Sequence, residues 1–143
     1  MFVVAAGNDA HVIEFAERGS RWVPVHAFHT HTAAVTCVAW APSVGRTSHT
    51  IVTGCHDGCL RVHHYYPRGE HVAVDGVIGG SVYGDGTPSA LVQCVLTVGA
   101  AVSSVAFDAT GSLLVSSDET GRVNTWRQDF TGTWELEQTF EGQ

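Results

Sequence analysis

The sequence predicts an all-β protein built from repeated, four-stranded antiparallel sheets. Three observations support this fold class: the apolar segments are short and rich in β-branched residues, turn residues separate them, and their order repeats along the chain. Stretches of about 12 residues with a helical apolar stripe are always interrupted by Gly or Pro. The fold class is therefore all-β.

The strands can be read off in chain order from the alternation of apolar and polar residues. The predicted strands are residues 2–6, 11–15, 21–25, 35–40, 50–54, 59–62, 102–107, 112–116, 122–126 and 133–137. Turns are expected at Gly7-Asn8-Asp9, Asp57-Gly58, Thr110-Gly111 and Thr120-Gly121.

Copies of four strands at a period of about 40–45 residues are typical of β-propeller blades. Residues 1–28 are predicted to be the last three strands of an incomplete blade. Residues 29–96 form a second blade with a Gly-rich insertion at 67–89, and residues 97–143 form a third, terminal blade. This partial propeller of about two and three-quarter blades cannot close a ring of roughly 4–8. We therefore expect a fragment of a longer chain or a truncated gene model, unless other chains supply the rest.

Charge and hydropathy exclude several classes of partner. The chain has 143 residues, with 7 basic and 14 acidic side chains and a net charge of −7. A nucleic-acid binder, or a protein held by charge on an anionic membrane, needs the opposite balance. The longest weakly polar stretch, residues 92–107, is interrupted by polar residues and is shorter than the ~20 apolar residues of a membrane span. We expect no nucleic-acid partner and no direct membrane insertion.

Two groups of His and Cys residues are candidate metal ligands. Cys55, Cys59, His63 and His64 lie in a turn and the strand after it, and their alternating directions do not converge without a partner. The preferred interpretation is a hairpin with buried thiols. His26, His29 and His31 form the second group, for which we prefer a structural role. No metal is expected.

Residues arranged for catalysis are also not evident. Gly79-Gly80-Ser81-Val82-Tyr83 lacks the last Gly of a nucleophile elbow, and no helix follows it. Glu135 and Glu137 share one face of an outer strand, where a solvated edge is the simpler interpretation. We predict no catalytic residue, no cofactor and no enzymatic activity. The insertion at 67–89 is expected to be a poorly ordered loop or, alternatively, a partner-docking segment anchored by Val77-Ile78 and Val82-Tyr83.

The repeats resemble the WD repeat, in which a His precedes the first strand, an Asp lies in the turn before the third strand, and that strand ends in Trp. Here His31 precedes the strand at 35–40, and Asp57 lies six residues before His63. Asp9 is placed in the same way before Phe15, while Thr120 and Trp126 take the Asp and Trp positions of the last copy. The resemblance implies a buried hydrogen-bond chain, and the repeat positions assigned to it are His31, Thr53, Asp57, Asp9, Ser116 and Trp126.

A closer resemblance covers most of the chain. The segment Trp40-Ala41-Pro42-Ser43-Val44-Gly45-Arg46-Thr47-Ser48-His49 resembles one in the small WD-repeat subunits shared by the nuclear pore Y-shaped complex and the COPII vesicle coat. Residues 14–15 with 19–25, and the end at 125–127 with 132–135, resemble the same family. The Gly45-Arg46 pair and the position of the insertion favour its nucleoporin branch.

This resemblance implies a non-catalytic scaffold for protein–protein assembly. It further implies a nuclear pore location, a role in protein and mRNA transport, and an α-solenoid partner that donates a blade. The possible partner-binding edge comprises Val3, Val4, Trp22 and Val23. One alternative is a COPII coat subunit at the cytoplasmic face of the endoplasmic reticulum, and another is a cytoplasmic iron–sulfur assembly adaptor, whose final blade resembles residues 105–128. A propeller hydrolase or metal-dependent enzyme is the third class.

Overall fold

The computed structural model describes residues 1–29, 31–42, 48–67 and 89–141. These residues form eleven strands: β1 (Phe2–Ala6), β2 (Asp9–Ala16), β3 (Arg21–Phe28), β4 (Val35–Trp40), β5 (His49–Cys55), β6 (Cys59–Tyr66), β7 (Ser89–Thr97), β8 (Val102–Phe107), β9 (Leu113–Asp118), β10 (Arg122–Gln128) and β11 (Trp134–Glu141). In the part of the chain that is described, no helix is long and apolar enough to cross a membrane.

The strands form three antiparallel meanders, which confirms the all-β, partial-propeller prediction. The first sheet has the order β1-β2-β3, the second β4-β5-β6-β7 and the third β8-β9-β10-β11. Each strand pairs with the next one along the chain, so every connection within a sheet is a hairpin. This up-and-down order is the one that propeller blades use.

The three sheets stand side by side and are closest at their inner strands. β4 packs between β1 and β8, and β2 and β5 lie next to these contacts. Hydrogen bonds join neighbouring sheets: Val35 donates its backbone N–H to the carbonyl of Gly7 at 2.8 Å, and the Thr36 hydroxyl on β4 donates to the carbonyl of Val102 at the start of β8. The sheets are therefore successive wedges that are joined near their inner strands.

Two apolar cores fill the spaces between the sheets. Between the first and second sheets the buried residues are Ala10, Val12, Phe28, Ile51 and Tyr65. Between the second and third sheets they are Val52, Leu60, Val62, Leu96, Val102, Leu114, Trp126 and Trp134. The second sheet thus buries both faces, and this explains why five consecutive residues of β5, from Ile51 to Cys55, are all buried.

All three hairpins of the third sheet use the same turn, Asp-x-Thr-Gly. Asp118 illustrates it: its Oδ1 accepts hydrogen bonds from the backbone N–H of Thr120 at 2.9 Å and of Arg122 at 3.1 Å. The equivalent acceptors are Asp108 and Asp129. In each turn a Thr hydroxyl also donates to the carboxylate, and this bond is the main reason why the pKa of all three Asp side chains is lowered.

Some elements differ from the sequence-based expectation. β7 was not predicted as a strand, although it completes the second sheet, and most other strands extend beyond their predicted ends. Residue 30, residues 43–47 of the Trp40–His49 motif, and residues 142–143 lie outside the described residues. So do residues 68–88, on which the predictions for the insertion fall.

We predict that Gly54→Ala destabilises the protein by about 1–3 kcal/mol through overpacking. A Cβ at this position would lie 2.5 Å from Cys37 Sγ on the adjacent strand β4 and 2.8 Å from Val102 Cγ1 of the third sheet. Urea unfolding measures the loss. Adding Cys37→Ala should make the Gly54→Ala change less costly, and strictly additive losses would contradict a clash as the cause.

Candidate functional site

A buried chain of polar side chains crosses the second sheet near its boundary with the first. His31 precedes β4, Thr53 lies on β5 and His63 on β6, and all three are buried. His31 Nε2 and Thr53 Oγ1 are hydrogen bonded, and Thr53 Oγ1 is 3.1 Å from His63 Nε2. The chain ties the segment that enters the sheet to its two central strands.

Arg61 determines how the protons are arranged along this chain. Its Nη1 contacts His31 Nδ1, and a guanidinium can only donate, so Nδ1 accepts. His31 then carries its proton on Nε2 and donates it to Thr53. If the Thr53 hydroxyl donates onward to His63 Nε2, only the buried Nδ1–H of His63 lacks a partner among the described residues. If His63 instead carried its proton on Nε2, it would donate to Thr53, and both its Nδ1 and the Thr53 hydroxyl proton would then lack a partner in the described part of the chain.

Both imidazoles are neutral in the folded protein at physiological pH. Burial lowers the pKa of His31 to about 4, and the nearby Arg61 charge lowers it further. Burial also lowers the pKa of His63 to about 4, with smaller contributions from His31, Arg61 and His26. The chain is therefore a network of neutral hydrogen bonds beside one fixed cation.

His31, Cys55 and Asp57 place possible metal-ligand atoms within 4.8 Å of one another. These atoms already have partners. Arg61 lies 3.5 Å from Asp57 Oδ2 and also contacts His31, while the other Asp57 oxygen accepts from the Cys59 N–H at 3.0 Å. The Cys55 thiol donates to the carbonyl of Ala33 at 3.3 Å. A divalent ion would have to displace the Arg61 guanidinium, so the cluster is organised around that cation instead.

The Thr53–His31 contact has the residue types of a nucleophile and its base, but not their electrostatics. A catalytic His is stabilised as imidazolium by a carboxylate on its second nitrogen. Here Arg61 occupies that position and disfavours the imidazolium. Thr53 is also 0% exposed, so a substrate cannot reach its hydroxyl. We therefore assign this pair a structural role and not a catalytic one.

The equivalent positions of the third sheet hold a shorter version of the chain. The Trp126 indole donates to Ser116 Oγ at 3.0 Å, and both side chains are buried. Thr120, expected at the Asp position, donates its hydroxyl to Asp118 at 2.5 Å within the turn. Asp118 Oδ2 is buried without a hydrogen-bond partner in the described residues. Sequence reasoning overlooked Asp118, although its place two residues before Thr120 repeats in all three turns.

The remaining predicted His and Asp positions lie apart from this chain. Asp9 is the first residue of β2, and its carboxylate is 2.9 Å from His29 Nδ1. His26 packs its ring against Phe28 and Tyr65, with centroids 4.9 and 5.6 Å away. Burial, followed by repulsion from His29, lowers the pKa of His26. The structure thus separates His26, His29 and His31 and gives each a different partner.

The first sheet carries a cluster of exposed apolar side chains on the face turned away from the second sheet. We call it the aromatic face, and its members are the exposed Phe2, Val4, Phe15, Trp22 and Pro24 and the half-buried Ile13. Trp22 is 54% exposed, and its ring lies 5.2 Å from that of Phe2 and 5.3 Å from that of Phe15. Contiguous exposed patches of this kind are typical of interaction sites.

The predicted edge residues divide between two faces. Val4 and Trp22 are exposed and belong to the aromatic face. Val3 packs instead against the core between the first and second sheets, and Val23 is half-buried. Within the described residues β1 pairs only with β2, so its other backbone edge is unpaired. Phe2 and Phe15 were not singled out from the sequence, because neighbours in a sheet depend on register.

Comparison with known proteins also identifies WD repeats in this chain. The family model described as WD domain, G-beta repeat matches residues 22–64 and 92–127, more than half of the chain. The chain is 28% identical to nucleoporin seh1 of Schizosaccharomyces pombe, over 89% of this chain and 39% of that protein. It is 29% identical to the protein SEC13 homolog of Drosophila melanogaster, over 92% of this chain and 32% of that protein.

A third relative is protein transport protein SEC13 homolog A of Arabidopsis thaliana, with 32% identity over 76% of this chain and 30% of that protein. The chain therefore spans roughly a third of the length of the curated relatives it matches. These matches confirm the resemblance to the shared family, and they include relatives from both of its branches, so they do not distinguish the nucleoporin branch from the coat branch.

We predict that Thr53→Val destabilises the protein by about 1–3 kcal/mol, because it leaves the buried nitrogens of His31 and His63 unpaired. Thr50→Val, a matched change on the same strand outside the chain, should cost less. Chemical unfolding at neutral pH compares the two variants. Equal losses would contradict a structural role for the network.

Stability should also fall as the pH drops from about 7 to about 5. In the unfolded chain His31 and His63 take up protons near pH 6.5, whereas in the folded protein they do so only near pH 4. The unfolded state binds more protons in this window, so acid favours unfolding, by about 2 kcal/mol after allowing for solvent screening. The lowered Asp pKa values act only at lower pH.

Unfolding curves at several pH values measure this loss. His63→Gln retains an amide that can bond to Thr53 but cannot titrate, so its stability should depend less steeply on pH than that of the wild type, with the remainder due to the other imidazoles of lowered pKa. Replacing the exposed His56 by Gln is the control. An unchanged pH dependence in His63→Gln would rule out His63 as a source of the effect.

Proposed function

The chain belongs to the WD-repeat family, and on that premise we propose that it is a non-catalytic scaffold that holds other proteins in a coat-like assembly. The observation that carries this proposal is the aromatic face of the first sheet, together with the unpaired edge of β1. The clustered rings of the aromatic face offer apolar surface for packing, and the unpaired N–H and C=O groups of β1 can pair with another strand. Together they suit the docking of another β-sheet.

The arrangement of the buried polar groups supports a role in binding over one in catalysis. The Thr53–His31 pair is sealed from solvent and faces Arg61, and the possible metal ligands are already engaged. The polar chemistry of the described residues serves to fix loops against strands. A rigid platform of this kind presents its edges and faces to partners.

We further propose the nuclear pore as the assembly and an α-solenoid protein as the partner, which donates a blade to the first sheet. The family resemblance of the Trp40–His49 segment supports this choice, and one relative carries the name nucleoporin. Two other relatives carry the name SEC13 homolog, one of them described as a protein transport protein. A COPII coat subunit is therefore the second candidate, and an iron–sulfur assembly adaptor is the third.

Copurification from cells of the source organism tests the proposal. The tagged chain should retain solenoid nucleoporins, and Trp22→Glu should reduce their recovery about tenfold or more, because it puts a charge into the centre of the aromatic face. Phe130→Ser is the control, since Phe130 is fully exposed on the β10–β11 turn of a different sheet.

The identity of the retained proteins separates the candidates. Coat subunits would favour the COPII role, and iron–sulfur enzymes would favour the adaptor. A chain that retains none of these proteins, or that retains them equally well with Trp22→Glu, would contradict docking at the aromatic face.

A further inference from the structure

We propose that Cys55 and Cys59 form a reversible redox site, in which a low-molecular-weight disulfide such as oxidised glutathione converts the two thiols to a disulfide across the β5–β6 turn. Both cysteines are free thiols in the structure. This site goes beyond the scaffold role, and it depends neither on the aromatic face nor on which assembly the chain serves.

The register of the second sheet places the two cysteines opposite each other. β5 and β6 pair Gly54 with Leu60, and the next positions towards the turn are Cys55, which ends β5, and Cys59, which begins β6. Residues that are directly opposite point to the same face of the sheet, with Cβ atoms about 4.5–5.5 Å apart. A disulfide needs a Cβ separation of about 3.5–4.5 Å, so a small shift of the turn can join the two sulfur atoms.

Asp57, in the turn between the two cysteines, interacts with both thiols. Its pKa is lowered although partial burial would raise it, and a hydrogen bond from the Cys55 thiol is the first of the contacts that lower it. Burial, followed by the negative charge of Asp57, raises the pKa of Cys59. One carboxylate in reach of two sulfur atoms places both on the same side of the turn, in agreement with the register.

The other two cysteines are kept apart from this pair. Cys37 and Cys94 pack against the core between the second and third sheets. Cys37 pairs with Gly54, and a Cβ on that glycine would lie 2.5 Å from the Cys37 Sγ, so Cys37 lies on the face to which position 54 points. Cys55 follows directly on the strand and points to the opposite face, where its thiol donates to the carbonyl of Ala33. The fold therefore leaves one opposed pair among the four thiols.

The equivalent turn of the third sheet shows that the hairpin does not need thiols at these positions. There Ser117 pairs with Val123, and Asp118 and Arg122 are the next residues towards the turn. Asp118 Oδ1 accepts the backbone N–H of Arg122 at 3.1 Å, so polar residues stabilise this turn through its own backbone. The paired cysteines of the second sheet therefore add chemistry that the shape of the turn does not require.

The two thiols differ in exposure, and this difference sets the order of the exchange. Cys59 is partly exposed, whereas Cys55 is 0% exposed. The Cys59 thiolate attacks one sulfur of oxidised glutathione to form a mixed disulfide, and the departing glutathione thiolate takes up the proton that Cys59 lost. The Cys55 thiolate then attacks the Cys59 sulfur, and the second glutathione leaves and takes up the Cys55 proton. Two electrons pass from the two protein thiols to glutathione disulfide, which is reduced to two glutathione thiols.

Oxidation acts at a turn that contacts both neighbouring connections of the second sheet. In the reduced protein the Cys55 thiol donates to the carbonyl of Ala33, at 3.3 Å, in the segment that enters β4. The carbonyl of Gly58 accepts the N–H of Val98, at 2.8 Å, in the connection to the third sheet. A disulfide has no S–H to donate. Oxidation therefore removes one of the bonds that hold the entering segment.

Mass spectrometry of the purified, folded chain tests the site, because trypsin separates the cysteines. Cleavage after arginine gives the peptide 47–61, which contains Cys55 and Cys59 but neither of the other two cysteines. The chain is incubated with excess oxidised glutathione at about pH 8, where a larger fraction of the thiols is ionised, and remaining thiols are alkylated before digestion. The peptide should lose about 2 Da, the mass of two hydrogens, and should carry no alkyl group. Dithiothreitol should restore its original mass. The disulfide should exceed any glutathione adduct of Cys37 or Cys94 at least about tenfold.

Single substitutions check the order of the exchange. Cys55→Ser should stop at the mixed disulfide, with one glutathione on Cys59, whereas Cys59→Ser should remain unmodified because Cys55 is not accessible. Cys94→Ser is the matched control and should still form the disulfide. Circular dichroism checks that each variant is folded, and the corresponding change to Ala replaces any that is not.

A folded wild-type chain whose 47–61 peptide retains both thiols would overturn the proposal. So would a peptide that is cross-linked to another cysteine, or a Cys59→Ser chain that takes up glutathione as readily as the wild type. None of these measurements involves a partner protein, so failure here is distinguishable from failure of the proposed function.

Discussion

The need to bury both faces of an inner sheet governs most of this structure. The second sheet meets this need within the chain, because Ile51 and Tyr65 face the first sheet while Val52 and Val62 face the third. The first and third sheets each cover only one face with neighbours from the described residues. A stacked β-sheet with one bare face loses about 25 cal/mol for every Å² of apolar surface left in water. Among the described residues, these two faces are therefore the ones that remain open to further packing.

The buried polar chain is compatible with this packing because it is neutral. Charged imidazoles between two apolar cores would cost several kcal/mol each. The structure avoids this cost by placing the single fixed charge, Arg61, at the more exposed end, where Asp57 partly balances it. His63 replaces the indole that Trp126 provides in the third sheet, and its ring is tilted against that of Phe28 with the centroids 4.5 Å apart. The substitution keeps the hydrogen bond to Thr53 and introduces sensitivity to acid.

The strand pattern was predictable from the sequence, because it depends on local alternation and turn chemistry. The predicted bounds of β1, β4 and β8 agree with the structure, as does the partial-propeller class. β7 was missed because it follows the insertion and has no turn signal that links it to β6. The sequence also did not predict the roles of Arg61 and Asp118 or the contact between the rings of Phe2 and Trp22. Each depends on cross-strand register, which a single-residue slip would change.

The bare faces also restrict what any completing partner can look like. One is lined with rings, and the other with small and β-branched side chains. In the two interfaces inside the chain, rings pack on aliphatic side chains, so a sheet that covers Trp22 is expected to present aliphatic side chains. A helix could cover either face, but it could not also pair with the backbone edge of β1. A donated blade meets both requirements. The internal repeat of the chain thus fixes the chemistry of its partners more tightly than the composition of either face alone.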